Sequence, residues 1–221
     1  MEDIEAIALL QDPVRRRLYE FVAAQGREVG RNEAAEAAGV ARTLAAFHLD
    51  KLVDAGLLEA GSRRLTGRSG PGAGRPAKVY RASAAERAVS VPARDYRTAA
   101  GLLAEAAEMA GLDMEVQDAA RRKGRALRGA SGVCGGLDEV AEVLAARGYG
   151  PVREEGGDGG AVVRMRNCPF HAVAEQFPPL VCGLNLALLE GLVEGSDVRV
   201  RMDPRRGWCC VAAEKSKNNE D

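Results

Sequence analysis

Four cysteines lie in the last quarter of the chain, and their thiols are the side chains best suited to chemistry. Thirteen residues separate Cys168 from Cys182, 26 separate Cys182 from Cys209, and Cys210 follows directly. These intervals are longer than zinc-finger knuckle spacings, so separate elements must converge to form one site. Three thiolates, with His171 or the second vicinal cysteine as fourth ligand, are a donor set for an iron–sulfur cluster or a zinc ion.

Other interpretations of the same residues stay open. Small cysteines are often buried core residues without a further role. Cys168 and His171 are three positions apart at a predicted helix start, so a thiol enzyme would use them as nucleophile and base. The sequence supplies no third group to orient that histidine, and we therefore expect a binding site and no enzyme. Cys134 lies apart from the other four, beside two glycines, and is expected to be structural.

Helices and strands alternate around these cysteines, which predicts an α+β sensor domain over residues 135–214. Helices are expected near 137–147, 172–176 and 180–192, and strands near 151–154, 161–166, 197–202 and 207–213. This pattern places Cys168 at a strand-to-helix junction, where helix amides would favour its thiolate. It places Cys182 in the first turns of a helix, and Cys209 and Cys210 on a strand.

An alanine-rich segment precedes this domain. Residues 94–110 show helical periodicity, and 116–127 continue it with a basic run. Alanine-rich faces let helices approach closely, so we interpret residues 94–130 as a linking or dimerisation region, with an ordinary core helix as the alternative.

The N-terminal part predicts a helix-turn-helix. A first helix begins after Asp12, a typical N-cap followed by proline, and ends before Gly26. Helices near 31–38 and 41–55 are joined by a turn at Gly39.

The next segment predicts a β-hairpin, the wing, with a long basic tip. Strands near 57–60 and 78–81 flank a stretch too rich in glycine and proline for a regular element. Six basic residues without an acidic neighbour lie between 61 and 81: Arg63, Arg64, Arg68, Arg75, Lys78 and Arg81. Arginines on such a tip can enter a narrow minor groove or pair with phosphates, so Arg68, Arg75 and Lys78 are predicted DNA contacts.

The third helix predicts a second DNA contact. Placing Ala45, Leu49 and Leu52 on its buried side leaves Thr43, Ala46, Phe47 and Asp50 opposite, with Arg42 near the N-terminus. In a major groove, Arg42 would bind a guanine edge or a phosphate, Thr43 a phosphate or a base, and Phe47 thymine methyls. His48 falls near the buried side, and we expect it to be packed and hydrogen-bonded.

Residues 8–83 resemble winged-helix repressors of the arsenic-repressor type. The resemblance rests on DPVRR at 12–16, AGV at 38–40, FHLDKLVDAGLL at 47–58 and GRPAKVY at 74–80. It implies a homodimer that binds a palindromic operator in double-stranded DNA. The metal-binding cysteine pair of that family is absent, because residues 1–133 contain no cysteine, so metal sensing must lie elsewhere.

The C-terminal residues resemble the iron–sulfur repressors that control cluster-assembly operons. The matching segments are Asn167-Cys168-Pro169, Val181-Cys182 and Gly207-Trp208-Cys209-Cys210. The resemblance implies a [4Fe-4S] cluster on Cys168, Cys182 and Cys209 or Cys210, with release from DNA linked to redox state or iron. The family often has a further cysteine between the second and the last, whereas residues 183–208 contain none here.

The amino-acid composition limits the class of protein to which the chain can belong. The chain has 221 residues, 46% of them apolar and 29% charged, which excludes wholesale disorder. No apolar stretch reaches the roughly 18 residues of a membrane span, and the N-terminus is acidic where a signal peptide is basic, so we expect a cytoplasmic protein without a membrane partner. The net charge of −1 is the sum of +2 for residues 1–90 (14 basic, 12 acidic) and −3 for the rest (17 basic, 20 acidic).

Together these observations predict a mostly α chain with α+β character. Its parts are an N-terminal winged helix-turn-helix, a linking or dimerisation helix and a C-terminal α+β sensor domain. The predicted function is a dimeric transcriptional regulator, expected to be a repressor, tuned by the cysteine site. Structural zinc or a small organic effector held between strands and helices is the alternative.

Overall fold

The chain forms two compact units, an N-terminal unit of residues 1–94 and a C-terminal unit of residues 95–221. The structure is a computed structural model, and it describes residues 2–63, 76–128, 135–156 and 160–216. Arg64, Arg68, Arg75 and Cys134 lie outside these ranges, so the roles predicted for them stay predictions. In the described ranges, no helix is both long and apolar enough to cross a membrane.

The N-terminal unit packs four helices against a small antiparallel sheet with strand order β1-β3-β2. Its elements are α1 (Glu2–Ala8), a 3₁₀ turn (Leu9–Gln11), α2 (Pro13–Gln25), β1 (Val29–Gly30), α3 (Arg31–Ala38), α4 (Arg42–Asp54), β2 (Leu58–Arg63) and β3 (Ala77–Ala82). The helix-turn-helix and the two strands of the wing are thus where the sequence predicts them. Helix α1 and strand β1, which has only two residues, were not predicted.

Local chemistry explains how α2, α3 and α4 are delimited. The Asp12 carboxylate accepts hydrogen bonds from the backbone N–H groups of Val14 and Arg15, both at 2.9 Å, and so caps α2. Gly39 has a φ of 65°, a left-handed conformation that ends α3 and turns the chain into α4. The shared core contains Leu18, Val22, Val29, Ala34, Ala45, Leu49, Leu52 and Tyr80.

The C-terminal unit packs helices on an antiparallel sheet with strand order β4-β5-β7-β6. Its elements are α5 (Tyr96–Met109), α6 (Asp113–Leu127), α7 (Leu137–Ala146), β4 (Pro151–Glu155), β5 (Ala161–Met165), α8 (His171–Ala174), α9 (Pro178–Val193), β6 (Val198–Met202) and β7 (Val211–Lys215). The predicted α+β class is confirmed. One boundary is wrong: β7 begins at Val211 instead of residue 207, because a turn with Gly207 at φ 79° occupies the preceding residues.

Helices α6 and α9 cross at two glycines. A Cβ added at Gly124 would overlap the carbonyl oxygen of Leu188, and one at Gly191 would overlap that of Arg121. Glycine at both positions therefore lets the two backbones touch. Helix α6, predicted within a linking region, is packed into the same unit as the cysteines, while α5 has no buried residue.

Candidate functional site

The exposed side of α4 carries the predicted recognition residues. Arg42 and Thr43 are exposed, Phe47 is 54% exposed and Ala46 is partly buried. The opposite side of the helix is buried in the core, as the sequence predicts. We call Arg42, Thr43, Ala46, Phe47 and Asp50 the recognition face.

Two residues near Phe47 on α4, His48 and Lys51, make defined side-chain contacts. His48 is only 6% exposed, and its Nδ1 accepts a hydrogen bond from Arg15 Nε at 3.3 Å, which confirms the expected packed histidine. Lys51 places its Nζ 5.1 Å from the centre of the Phe47 ring, a cation–π contact that the sequence reasoning missed. Phe47 and Lys51 are four residues apart on one helix, and this spacing could have predicted the contact.

Asp50 joins the recognition face to the wing and to α3. Its Oδ1 accepts hydrogen bonds from Lys78 Nζ at 2.8 Å and from the Tyr80 hydroxyl at 2.7 Å. Its Oδ2 lies 3.4 Å from Arg31, whose Nε donates to the Tyr80 hydroxyl at 2.8 Å. Lys78, predicted as a DNA contact, is therefore an ion-pair partner of Asp50 in this structure.

These contacts shift the titration of both central groups. Burial opposes ionisation of Asp50, but the hydrogen bonds from Lys78 and Tyr80 outweigh it, so the pKa of Asp50 lies below its usual value. Burial, followed by the hydrogen bond to Asp50, raises the pKa of Tyr80 to about 12. The carboxylate is thus ionised and the phenol neutral at neutral pH.

A basic groove of about 270 Å³ lies beside the recognition face. Its basic lining residues are Arg27, Arg31, Arg42, Arg63 and Lys78, and its acidic ones are Glu28 and Glu33. Arg27 pairs with Glu33, and Arg63 lies 3.5 Å from Glu28. With Asp50, which pairs with Arg31 and Lys78, five basic side chains face three carboxylates. The remaining positive charge suits a phosphate, and Arg31 is a groove residue that the sequence reasoning did not identify.

The second candidate site is a cluster of four thiols in the C-terminal unit. Interactions among the thiols shift the pKa values of three of them: Cys209 acts on Cys168 and Cys210, and Cys182 acts on Cys210. Cys168 precedes α8, Cys182 lies on α9, and Cys209 and Cys210 directly precede β7 instead of lying on a strand as predicted. The structure thus brings together the four cysteines that the sequence singled out. We call them the thiol cluster.

Within the thiol cluster, Cys209 is the favoured thiolate. Hydrogen bonds from Cys168 and then Cys210 lower its pKa, helped by the backbone of Val211. The hydrogen bond to Cys209, together with burial, raises the pKa of Cys168. A backbone hydrogen bond at Phe170 lowers the pKa of Cys168, as expected of helix amides, but the interaction with Cys209 and burial outweigh it.

Two buried polar side chains, Tyr149 and Asn185, form a chain of hydrogen bonds that ends at Cys209. The Tyr149 hydroxyl donates to Asn185 Oδ1 at 2.7 Å, and Asn185 Nδ2 donates to Cys209 Sγ at 3.3 Å. Tyr149 is 2% exposed, Asn185 0% and Cys209 5%. Burial, reinforced by the charge of neighbouring cysteines, raises the pKa of Tyr149, which keeps its hydroxyl a donor.

His171 does not point its imidazole at the thiols. The side chain is 61% exposed, and its Nε2 lies 3.3 Å from Glu175 Oε1. Only its backbone N–H contacts the cysteines, as a donor to the Cys168 carbonyl at 3.0 Å. Cys210 therefore replaces His171 as the fourth member of the donor set.

The thiols lie close enough to shift one another's pKa values. Within the described residues, there is no group of at least three His, Cys, Asp or Glu side chains that could hold a metal ion. Thiols are the donors that soft metals and iron–sulfur clusters take, but in this structure their arrangement is not that of a metal site.

Comparison with known proteins adds one finding. Residues 9–60 match the family model of a helix-turn-helix domain, about a quarter of the chain. The N-terminal unit contains a helix-turn-helix domain. This match spans the recognition face and indicates a DNA-binding transcriptional regulator. No curated protein and no solved structure gives a significant match to the chain.

Proposed function

We propose that the chain is a dimeric winged-helix repressor of the arsenic-repressor type, in which the thiol cluster binds an iron–sulfur cluster and thereby tunes operator binding. The observation that carries the DNA-binding part is the exposed recognition face inside the matched helix-turn-helix domain. The effector part depends on the convergence of four thiols in the other unit.

The recognition face supplies both kinds of DNA contact. A helix lying in the major groove reads base edges with residues near its N-terminus, where Arg42 and Thr43 lie. Phe47 presents an apolar surface suited to thymine methyls. The basic groove beside it supports phosphate contacts, which position the helix without reading sequence.

The exposed surface of the C-terminal unit supports a homodimer. Six large apolar side chains between residues 96 and 114 are 41–83% exposed: Tyr96, Leu102, Leu103, Met109, Leu112 and Met114. Soluble monomers rarely expose a contiguous apolar patch of more than a few hundred Å². A second copy would bury these side chains, and a two-fold dimer matches a palindromic operator.

The thiol cluster supports the effector. Cys168, Cys182, Cys209 and Cys210 would hold the group, and their low exposure would shield it from bulk water. A bound [4Fe-4S] cluster would supply a charge that changes with redox state and iron supply. A group held by all four thiols would link α9 to the segments before α8 and β7, and it would therefore favour the conformation in which these segments lie together. Zinc or an organic effector is the alternative occupant.

DNA binding is tested by selecting duplexes from a random pool with the wild-type protein and measuring affinity for the selected site. Arg42→Ala is expected to weaken that affinity by roughly 5- to 150-fold, the effect of losing one base-edge contact. Arg122→Ala, which removes an equal charge from an exposed position of α6, is the matched control. Equal affinity of both variants would contradict the assigned recognition face.

The effector is tested by anaerobic purification with measurement of iron, sulfide and the absorption spectrum. Wild type is expected to bind iron and sulfide, and Cys209→Ser to lose both. Cys134→Ser is the matched thiol control, because the sequence places it apart from the cluster. Zinc without sulfide would favour the alternative, and a colourless protein that takes up no metal on reconstitution would contradict the proposal.

A further inference from the structure

Asp50 is the acidic member of the recognition face, the surface that we expect DNA to approach. Its side chain is 41% exposed, so the carboxylate is not withdrawn into the core. A negative charge close to a phosphate backbone opposes binding to any duplex, whatever its sequence. Affinity for DNA in general thus disfavours a carboxylate at this position.

Two cations hold this carboxylate beside a buried tyrosine. Lys78 Nζ lies 2.8 Å from Asp50 Oδ1, and Arg31 Nη2 lies 3.4 Å from Asp50 Oδ2. The ring of Tyr80 is 0% exposed, and its centre lies 5.5 Å from Lys78 Nζ and 5.9 Å from Arg31 Cζ. Because the tyrosine is fixed in the core, the two cations and the carboxylate stay within reach of one another.

The same two cations line the basic groove. Lys78 and Arg31 can therefore pair either with Asp50 or with a phosphate that enters the groove. A cation that is already paired adds less to DNA binding, because fewer counterions are released when a phosphate replaces the carboxylate. Any duplex must therefore compete with Asp50 for these two charges.

We propose that Asp50 is a specificity-determining residue of DNA binding: its carboxylate competes with phosphates for Lys78 and Arg31, and a cytosine amine placed against it offsets their loss. This inference rests on the DNA-binding part of the proposed function. Binding is selective when the wrong partner is penalised as well as the right one favoured. On unrelated DNA, the two cations either stay with Asp50 or leave an unpaired carboxylate facing the duplex.

The choice of cytosine follows from the base edges in the major groove. Cytosine presents its N4 amine there, whereas guanine N7 and O6 and thymine O4 are acceptors, which repel a carboxylate. Adenine also presents an amine, but its N7 acceptor lies beside it. Asp50 Oδ1 already accepts from Lys78 and Tyr80, while Oδ2 makes the weaker 3.4 Å contact with Arg31. Oδ2 is therefore the oxygen that accepts from cytosine once Arg31 turns to a phosphate.

The experiment compares wild type, Asp50→Asn and Asp54→Asn in binding to two duplexes of equal length. One duplex carries the sequence that wild type selects from a random pool, and the other is unrelated in sequence. Affinities are measured between about 50 and 200 mM salt, and circular dichroism verifies that each variant is folded. Asp54→Asn is the matched control, because it removes the same charge from an exposed position one turn further along α4.

Asp50→Asn is expected to strengthen binding to the unrelated duplex by about tenfold and to steepen its salt slope by about 1 for each released cation. Binding to the selected duplex should change less, because loss of the cytosine contact opposes the gain. Asp54→Asn should change either affinity by less than about threefold. A second selection with Asp50→Asn should lose the cytosine preference at one position. A merely structural role would weaken binding to both duplexes and leave the base preference unchanged.

A double variant tests whether Asp50 acts through its ion pair with Lys78. In a Lys78→Met background, Asp50→Asn should strengthen binding to the unrelated duplex by less than it does in wild type, since one of the two cations is already gone. Equal gains in the two backgrounds would overturn the inference, because Asp50 would then be a general repulsive charge.

The inference and the proposed function fail in different ways. If wild type binds its selected duplex but Asp50→Asn matches Asp54→Asn in affinity, salt slope and base preference, the inference is overturned and the proposed DNA binding stands. Stronger binding to unrelated DNA with an unchanged base preference would also overturn the inference. If wild type binds neither duplex, the proposed DNA binding and the inference are overturned together.

Discussion

The recognition face and the thiol cluster put their working side chains in opposite surroundings. Phe47 is 54% exposed and Arg42 lies at the surface of a single helix, whereas Cys209 is 5% and Asn185 0% exposed. The first site is built by one element, so its side chains can be exchanged without disturbing the core. The second is shared by three separate segments and exists only while these pack correctly. The two sites should therefore respond differently to changes in packing, charge and pH.

The largest effect is expected where packing alone is changed. Gly191→Ala places a methyl group against the Arg121 carbonyl and forces α6 and α9 apart. Overpacking at a rigid contact costs roughly 1–3 kcal/mol, and we expect about 2 kcal/mol after the better helix propensity of alanine is included. Trp208, the only tryptophan of the chain, reports unfolding of the C-terminal unit by fluorescence in urea.

Gly101→Ala is the matched control for this packing prediction. Gly101 lies in the middle of α5, and a Cβ there meets no atom within 4 Å. Alanine is expected to stabilise that helix by roughly 0.5–1 kcal/mol. The free energy of DNA binding by the apo-protein should change much less than the free energy of unfolding reported by Trp208. Equal losses in the two free energies would contradict the contrast between the two sites.

The same contrast explains what the sequence could predict. Arg42, Thr43, Ala46 and Phe47 lie on one helix, so a period of 3.6 residues separates them from the buried side without knowledge of the fold. Asp12 and Gly39 are local signals for a helix start and a helix end, and both are confirmed. Periodicity also gave the α+β class of the C-terminal unit.

What the sequence did not predict depends on tertiary contacts. The Asp50 carboxylate pairs with Lys78 because two different elements pack together. The His171 imidazole lies beside Glu175, one turn further along the chain. The opposite pKa shifts of Cys209 and Cys168 depend on interactions between cysteines far apart in sequence. Asn185 carries no local signal, because one amide in an apolar helix says nothing about its partners.

A smaller effect is expected from charge at the tip of the wing. Replacing Arg68 and Arg75 by alanine should weaken binding to specific and unrelated duplexes alike, by roughly tenfold, because phosphate contacts carry no sequence information. The slope of log affinity against log salt should fall by about 1 for each lost phosphate contact. Affinities measured between 50 and 200 mM salt check this prediction.

Comparison with Arg42→Ala separates a base contact from the phosphate contacts expected of the wing. A base-edge contact should change the selected sequence preference at one position and leave most of the salt slope in place. An unchanged salt slope in the Arg68, Arg75 double variant would show that the wing does not touch the backbone of DNA.

The smallest effect is expected at Asp50, where the recognition face is tied to the wing. The carboxylate is 41% exposed, so its ion pairs are partly screened, and Asp50→Asn should cost about 1 kcal/mol at pH 6. Folding lowers the pKa of Asp50, so this contribution is complete above the unfolded value of about 3.9 and disappears as pH falls through the lower folded value. Urea midpoints from circular dichroism between pH 6 and 3 should therefore converge for wild type and Asp50→Asn, with the Trp208 transition identical in both. Asp54→Asn, at an exposed position one turn along α4, is the control, and equal acid profiles for the two variants would mean that Asp50 does not hold the wing.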